Sequence, residues 1–387
     1  MRMHPGRREA GYTLIELMVA GAVAAAIGAA ISAAFIGFNR MVTQQEGVRA
    51  GQSALRQSAG VLLQSLRLAG YGIEPELAFC RSTGCGKGTE YNNSDRLVFR
   101  YRDPRFGRAL KVGQGTGNSQ LALNEPLGVR LKAGQLLQVV CPGAVRWTYA
   151  ELTADAVDSS QLLFVRAPTA RGFPGGQLDQ PCFRGIGAEP AYVFKIEEQD
   201  FGVIPPIDDD GDGTPDAPSP PAKANGTAPT PFLVRYLDTP DGPKAEPLVE
   251  NVEALRVVYL RRDSAGNLGV FEPNPNALKP DYDTPRNDPA RFSAHPANIA
   301  AVRVGLVARA SIADPEQRQL GSETRIPAFG DRDALERAPG FRRILFETTV
   351  PIRNMRSTGM FLPPFTADPA GCNGGTGPSD HLNCISG

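Results

Sequence analysis

Histidine is scarce in this sequence: His4, His295 and His381 are the only three in 387 residues. A mechanism built on a histidine base has almost nothing to draw on, and other signatures of enzyme chemistry are missing too. There is no H-E-x-x-H, no G-x-S-x-G elbow, no G-x-x-x-x-G-K-[ST] loop and no G-x-G-x-x-G after a strand. The expectation is a protein that is not an enzyme. Charge imbalance is missing as well, since 41 basic and 41 acidic side chains give a net charge of zero. Bulk electrostatics therefore offers no drive toward a polyanion, and no nucleic-acid binding is expected. No repeat of 20–50 residues is present, which argues against a solenoid or propeller. The single tryptophan, Trp147, reads as a core or cross-strand residue, and the pairs Glu197/Glu198 and Arg261/Arg262 as solvated strand or loop faces.

What is abundant is punctuation. The 42 glycines and 34 prolines make up about a fifth of the chain, so short strands and loops should outweigh long helices. The hydrophobic fraction of 41% is that of a soluble protein and argues against a polytopic membrane protein. That average hides a segregated N-terminus. Arg2, Arg7 and Arg8 precede a run of 22 uncharged residues from Leu17 to Phe38. Such a run is long enough to span a bilayer, and the basic flank predicts that its N-terminal end lies in the cytoplasm. A secretory signal peptide has a shorter apolar stretch, about 7–15 residues. It would not be expected to carry an acid such as Glu16 at the mouth of that stretch. A carboxylate costs roughly 2.5–3.5 kcal/mol at mid-bilayer and less near the interface, so Glu16 calls for a positive partner. If the chain is cut between Gly11 and Tyr12, the new α-amino group lies one helical turn from Glu16.

The string Gly11-Tyr12-Thr13-Leu14-Ile15-Glu16 resembles the cleavage and methylation motif of type IV prepilins and type II secretion pseudopilins. The resemblance implies that a prepilin peptidase cuts after Gly11 and methylates Tyr12, where the family usually has Phe. It also implies that Glu16 is the assembly carboxylate, meeting the N-terminus of its own chain or of a neighbouring copy.

Past Arg40 the helical period continues. Val48, Leu55, Ala59, Leu62 and Leu66 fall on one face, and Gly70 and Gly72 are natural stops. A helix from Tyr12 to about Ala69 would be about 87 Å long; two helices with a hinge near Gly47 are the alternative. Beyond Gly72 the period becomes two. Leu97–Tyr101, Gln135–Val140, Arg146–Leu152, Gln161–Arg166, Tyr192–Ile196, Phe232–Leu237, Leu255–Leu260, Val302–Ala308 and Ile344–Ile352 read as strands. With no helix-length segments between most of them, the sheets should be mainly antiparallel. The order from Leu248–Leu255 through Ala301–Arg309 to Phe341–Asn354 is similar to the C-terminal half of W-type minor pilins, and more loosely to J-type pseudopilins. The fold class expected is α+β, a pilin-like lollipop. It has a leader (1–11), a long N-terminal helix with a transmembrane half and an amphipathic half (12–70), a β-rich extracytoplasmic domain (71–356) and a Gly/Pro-rich tail (357–387). Residues 80–200 have no counterpart in that resemblance, and Ala217–Pro231 reads as a linker.

Two further patterns carry chemistry. Asp208, Asp210 and Asp212 occupy positions 1, 3 and 5 of a calcium loop, with Gly213 at 6, the Thr214 carbonyl at 7 and Asp216 at 9. Ser219 stands where the bidentate Glu would be, so Ca²⁺ binding of the weak extracellular type is expected, against the alternative of a solvated acidic loop. All six cysteines follow the apolar run. Sequence proximity favours Cys80–Cys85, Cys141–Cys182 and Cys372–Cys384, although six allow fifteen connectivities. No C-x₂-C pair exists to suggest zinc instead.

The function expected from the resemblance is that of a minor type IV pilin, a structural and assembly subunit that primes or caps the fibre. Its partners would be other minor and major pilins and a large tip adhesin. It would sit in the inner membrane as a single-pass protein before reaching the cell surface. The alternatives are a type II secretion minor pseudopilin, and a singly anchored calcium-binding adhesive domain that does not polymerise.

Overall fold

A computed structural model describes residues 12–73, 75–79, 91–111, 119–141, 146–168, 191–204, 231–239, 242–262, 268–271, 299–310, 325–329, 333–336 and 341–355. One uninterrupted helix, α1 (Leu14–Leu66), opens it, with no break at Gly47. Its two halves meet different surroundings. From Leu14 to Met41 the large apolar side chains are all exposed, whereas Leu55 and Ala59 are buried and Leu62 and Leu66 have no exposed surface. Four of the five residues expected on the packing face are therefore buried there, and Val48 is half-buried. Small residues let the helix approach closely: a Cβ on Gly47 would sit 3.4 Å from that of Ala310, and one on Gly51 would lie 3.5 Å from the Arg309 carbonyl. The chain leaves the helix through Gly70 and Gly72, both at positive φ, before the single turn α2 (Pro75–Ala78).

The helix packs on a four-stranded antiparallel sheet in the order β10 (Leu268–Phe271), β9 (Val252–Arg262), β11 (Ile299–Arg309), β14 (Arg343–Pro351). Alternation divides β9 between two faces. Leu255, Val257 and Tyr259 join the helix core, while Val258 and Leu260 pack with Phe329 on the far side. The short pair β12 (Arg325–Ile326) and β13 (Leu335–Glu336) supplies Ile326 to that far side as well. Part of the β9 edge is covered by side chains in place of a strand. The Leu255 N–H donates to Ser94 Oγ, the Val257 N–H to Asp95 Oδ2, and Asn92 Nδ2 donates to the Glu253 carbonyl.

The remaining strands form two units that share a pair of long strands, β1 (Leu97–Ala109) and β6 (Tyr192–Ile204). The first half of β1 and the second half of β6 continue into β7 (Phe232–Thr239) and β8 (Gly242–Glu250), and this part packs against the helix. The other halves take part in a closed barrel. From β6 the ladder runs to β3 (Leu136–Cys141), β4 (Arg146–Leu152), β5 (Leu162–Arg166) and β2 (Gln120–Ala122). The antiparallel bridge between Leu110 and Leu123 then returns it to the end of β1. Its interior is apolar, with Leu137, Val139, Leu152, Leu163, Val165 and Val193 all buried.

The expected antiparallel strands are present, with β6 running on to Ile204 and β14 ending at Pro351. β2, β8, β10, β12 and β13 were not expected. One expectation needs correction. Glu198 is not a solvated face residue, because it holds the Arg100 guanidinium at 2.5 Å and Arg100 is completely buried. An unneutralised cation there would be very costly, so the strand must carry an acid opposite.

Two glycine substitutions separate packing from propensity. At Gly305 a Cβ would lie 2.8 Å from the Phe329 ring, whereas at Gly60 it would meet nothing within 4 Å. Gly305→Ala should lower the stability of the full chain by about 1–3 kcal/mol. Gly60→Ala, in the exposed face of a helix, should raise it by about 0.5–1 kcal/mol. Thermal unfolding of the two variants against the parent protein reads both signs.

Candidate assembly site

The head of α1 is organised by two residues. Thr13 is the N-cap, and its Oγ1 accepts the Glu16 N–H at 3.3 Å. In return the Thr13 N–H donates to Glu16 Oε2 at 2.9 Å, and the Thr13 hydroxyl donates to the same oxygen at 3.0 Å. This reciprocal pairing is a capping box, which satisfies two backbone donors that a helix start otherwise leaves bare. The arrangement answers the question that an acid beside an apolar run raises. In the uncleaved chain, position 12 offers a peptide nitrogen and not an amine, and the Glu16 carboxylate takes Thr13 as its partner.

Tyr12 is exposed, as are Leu17, Met18, Ile27, Ile31 and Phe35 along the shaft. Gly21, Gly28 and Gly37 have no neighbouring atom within 4 Å of a built Cβ. The whole first half of the helix thus stands free of the β domain. It presents an apolar surface with one carboxylate at its head, long and apolar enough to cross a membrane. Such a surface is not stable against water and needs lipid or other apolar helices around it. Where the second half meets the domain, the packing is apolar, and a charged cluster braces the sheet from its other face. Glu253 on β9 takes a bidentate pair from Arg343 at 2.5 and 3.0 Å, and Arg309 lies 3.9 Å away. Arg309 and Arg343 are neighbours in sequence of Ala308 and Ile344, which face the helix, so their side chains lie on the sheet face away from it.

Most other expected site residues fall elsewhere. Gly11, the loop residues Asp208, Asp210, Asp212, Thr214 and Asp216, and Cys80, Cys85, Cys182, Cys372 and Cys384 lie outside the described residues. Cys141 is buried at the end of β3 and is disulfide-bonded. Among the described residues no group of three or more His, Cys, Asp or Glu side chains could hold a metal ion.

A polar site that the sequence did not single out lies where β3 leaves β6 and β7 joins it. A cavity of about 160 Å³ opens there between Lys132–Leu136, the Ile196–Asp200 segment and Tyr236. Arg96 holds Asp200 with two hydrogen bonds, of 2.8 and 2.6 Å, and lies 4.2 Å from the Tyr236 ring centroid. Burial pushes the Asp200 carboxyl up, and the Arg96 guanidinium opposes that rise. Lys195 pairs with Glu197 on the same strand. Each acid at the fork is thus neutralised within the protein. No local sequence signal could have found the site, since its parts come from four separate strands and loops.

No curated protein and no solved structure matches the chain. One family model does: residues 222–354, which take in β7 through β14, match the Type IV Pilus-assembly protein W family. The barrel and α1 lie outside the matched stretch. Over that third of its length, the match supports placing this chain in the W family of type IV pilus-assembly proteins, which is minor-pilin-like.

Proposed function

We propose that the protein is a minor type IV pilin: a subunit made as a precursor, held in the inner membrane by α1 with its N-terminus inside, and moved from there into a pilus. The observation that carries the reading is the bare apolar half of α1 with a single acid, Glu16, at its head. The match of β7–β14 to a pilus-assembly family supports it. On this reading the bundle of shafts in a fibre supplies the apolar surroundings that the first half of the helix lacks. Cleavage after Gly11 and methylation of Tyr12 would give Glu16 a cationic partner in place of Thr13. The β domain would then face other minor and major pilins and a tip adhesin. Its role is structural and not catalytic, and the Asp208–Asp216 segment would bind Ca²⁺ outside the cell. The fully exposed shaft with its acid favours this reading over a plain membrane anchor, which needs no charge at that position.

Three measurements test the reading. Mass spectrometry of the protein recovered from cells should show a chain beginning at an N-methylated Tyr12; a chain that retains Met1, or one cut inside the Ala-rich run, sinks the assignment. Glu16→Gln keeps an acceptor for the Thr13 N–H but removes the charge, so the helix start should persist while incorporation into fibres is lost. Glu16→Ala should lose the charge and also the acceptor for the Thr13 N–H, leaving only half of the capping box. Normal incorporation of the Gln variant would show that the Glu16 charge does not drive assembly. For calcium, chelation should lower the unfolding temperature of the full chain. Asp210→Asn should abolish that response, and an unchanged melting curve would leave the loop as a solvated acidic segment.

A further inference from the structure

Arg102 differs from the two arginines that precede it. Arg96 and Arg100 are each bound to an acid on β6. The Arg102 guanidinium has no hydrogen bond and no ion pair among the described residues, and it is held by rings instead. Its carbon lies 4.4 Å from the Phe194 ring centroid and 5.6 Å from that of Tyr71. Phe194 in turn stacks on Tyr192, with centroids 6.4 Å apart and planes inclined by 27°. The ladder ends in two tyrosines, Tyr71 and Tyr192, that are each 37% exposed.

The backbone is shaped around this ladder. A Cβ at Gly72 would stand 2.5 Å from Arg102 Nε, and one at Gly107 would stand 3.0 Å from Phe194 Cε1. The Arg102 N–H also donates to the Tyr71 carbonyl at 2.7 Å, which ties the turn after α1 to β1. Two glycines and a backbone bond therefore fix a guanidinium between ring faces, and no described residue takes its N–H edge. Clamping of this kind lowers the side-chain entropy that a partner would otherwise have to remove on binding.

We propose that the Tyr71–Arg102–Phe194–Tyr192 ladder is a docking surface for an acidic peptide segment of a partner protein, one that presents a carboxylate between apolar side chains. The carboxylate would take the fork of Arg102 bidentately, and its apolar neighbours would lie against the exposed tyrosines. Tyrosine and arginine are the residues that dominate binding energy in protein interfaces. A polyanion is disfavoured, because affinity for phosphate chains grows with the number of cations engaged and the two arginines preceding Arg102 are already neutralised. The surface lies outside the stretch that matches the pilus-assembly family, and the proposal does not depend on the pilin reading.

The test uses the full chain in detergent micelles and three fluorescein-labelled probes: an Ala-Phe-Glu-Phe-Ala peptide, its Gln counterpart, and a short oligothymidylate. The Glu peptide should bind about tenfold more tightly than the Gln peptide. R102Q should remove that preference while leaving the unfolding temperature unchanged. R102K keeps the charge but loses the fork, and should fall between the two. Tyr192→Ser should weaken both peptides alike. Equal binding of the two peptides, an R102Q variant that still prefers the Glu peptide, or tighter binding of the oligothymidylate overturns the proposal.

Discussion

Everything in this structure is arranged around one helix that has to satisfy two environments. The second half of α1 is core: Leu55, Leu62 and Leu66 are sealed against β9, β11 and the β1–β6–β7–β8 sheet. No described residue buries the first half. A soluble helix of this length would show one apolar stripe throughout. Here the stripe is confined to the second half, and the first half is apolar on every side. The change falls near Arg40, so the rigid rod that organises the β domain also projects beyond it.

The β domain is built in two parts that differ in their relation to the helix. One part comprises the β9–β11 sheet and the β7–β8 hairpin. It is the part that packs on α1 and the part that matches a pilus-assembly family. The other part is the barrel, whose core is separate and does not include helix residues. The two are joined by β1 and β6, each long enough to serve both. At the point where β3 gives way to β7 along β6, the ladder is interrupted and buried or half-buried charges fill the space, notably Arg100 with Glu198 and Arg96 with Asp200. The barrel therefore cannot rotate against the helix-packed part without breaking the ladder of two shared strands and exposing a buried guanidinium.

The sequence made the helix and most strands legible because each carries its own period. Leu55, Ala59, Leu62 and Leu66 repeat at helical spacing, and Leu97, Phe99 and Tyr101 alternate with Val98, Arg100 and Arg102 at the start of β1. Barrel closure was not legible. It depends on Leu110 meeting Leu123 and on β5 lying between β2 and β4, and alternation identifies a strand without naming its neighbour. β8 was hidden for a different reason: Pro243 and Pro247 interrupt the pattern, which an edge strand tolerates and a sequence reading discounts. Glu198 was misread because an acid in an alternating strand is usually solvated. Only the long-range pairing of β1 with β6 places it opposite Arg100. At the candidate assembly site the acid is legible from its position alone, but its partner Thr13 is not, because an acid beside an apolar run calls for a cation and the helix start supplies a cap instead.

The neck between shaft and domain shows why that cap sits on a stiff support. Arg309 and Arg343 are directly opposite on β11 and β14, a like-charge pair that by itself would push the strands apart. Glu253, inserted from β9 at an irregularity of the ladder, takes both and is itself 2% exposed. Removing one member of such a buried set leaves an uncompensated charge, at a cost of about 3–5 kcal/mol. Gly51 and Gly47 lie directly over these strand ends, where an added Cβ would already stand at contact distance, 3.4 Å from the nearest side-chain atom. A shift of the shaft by one residue would bring Val48 and Gln52 onto the same backbone, where larger side chains would push the helix away. The direction in which α1 leaves the domain is therefore set by this close approach and by the burial of Leu55, Leu62 and Leu66, on a sheet edge that the charge pairing holds together from its other face. A subunit that carries an apolar rod into contact with others can use that fixed direction, since the position of Glu16 relative to the β domain is then set before any partner is met.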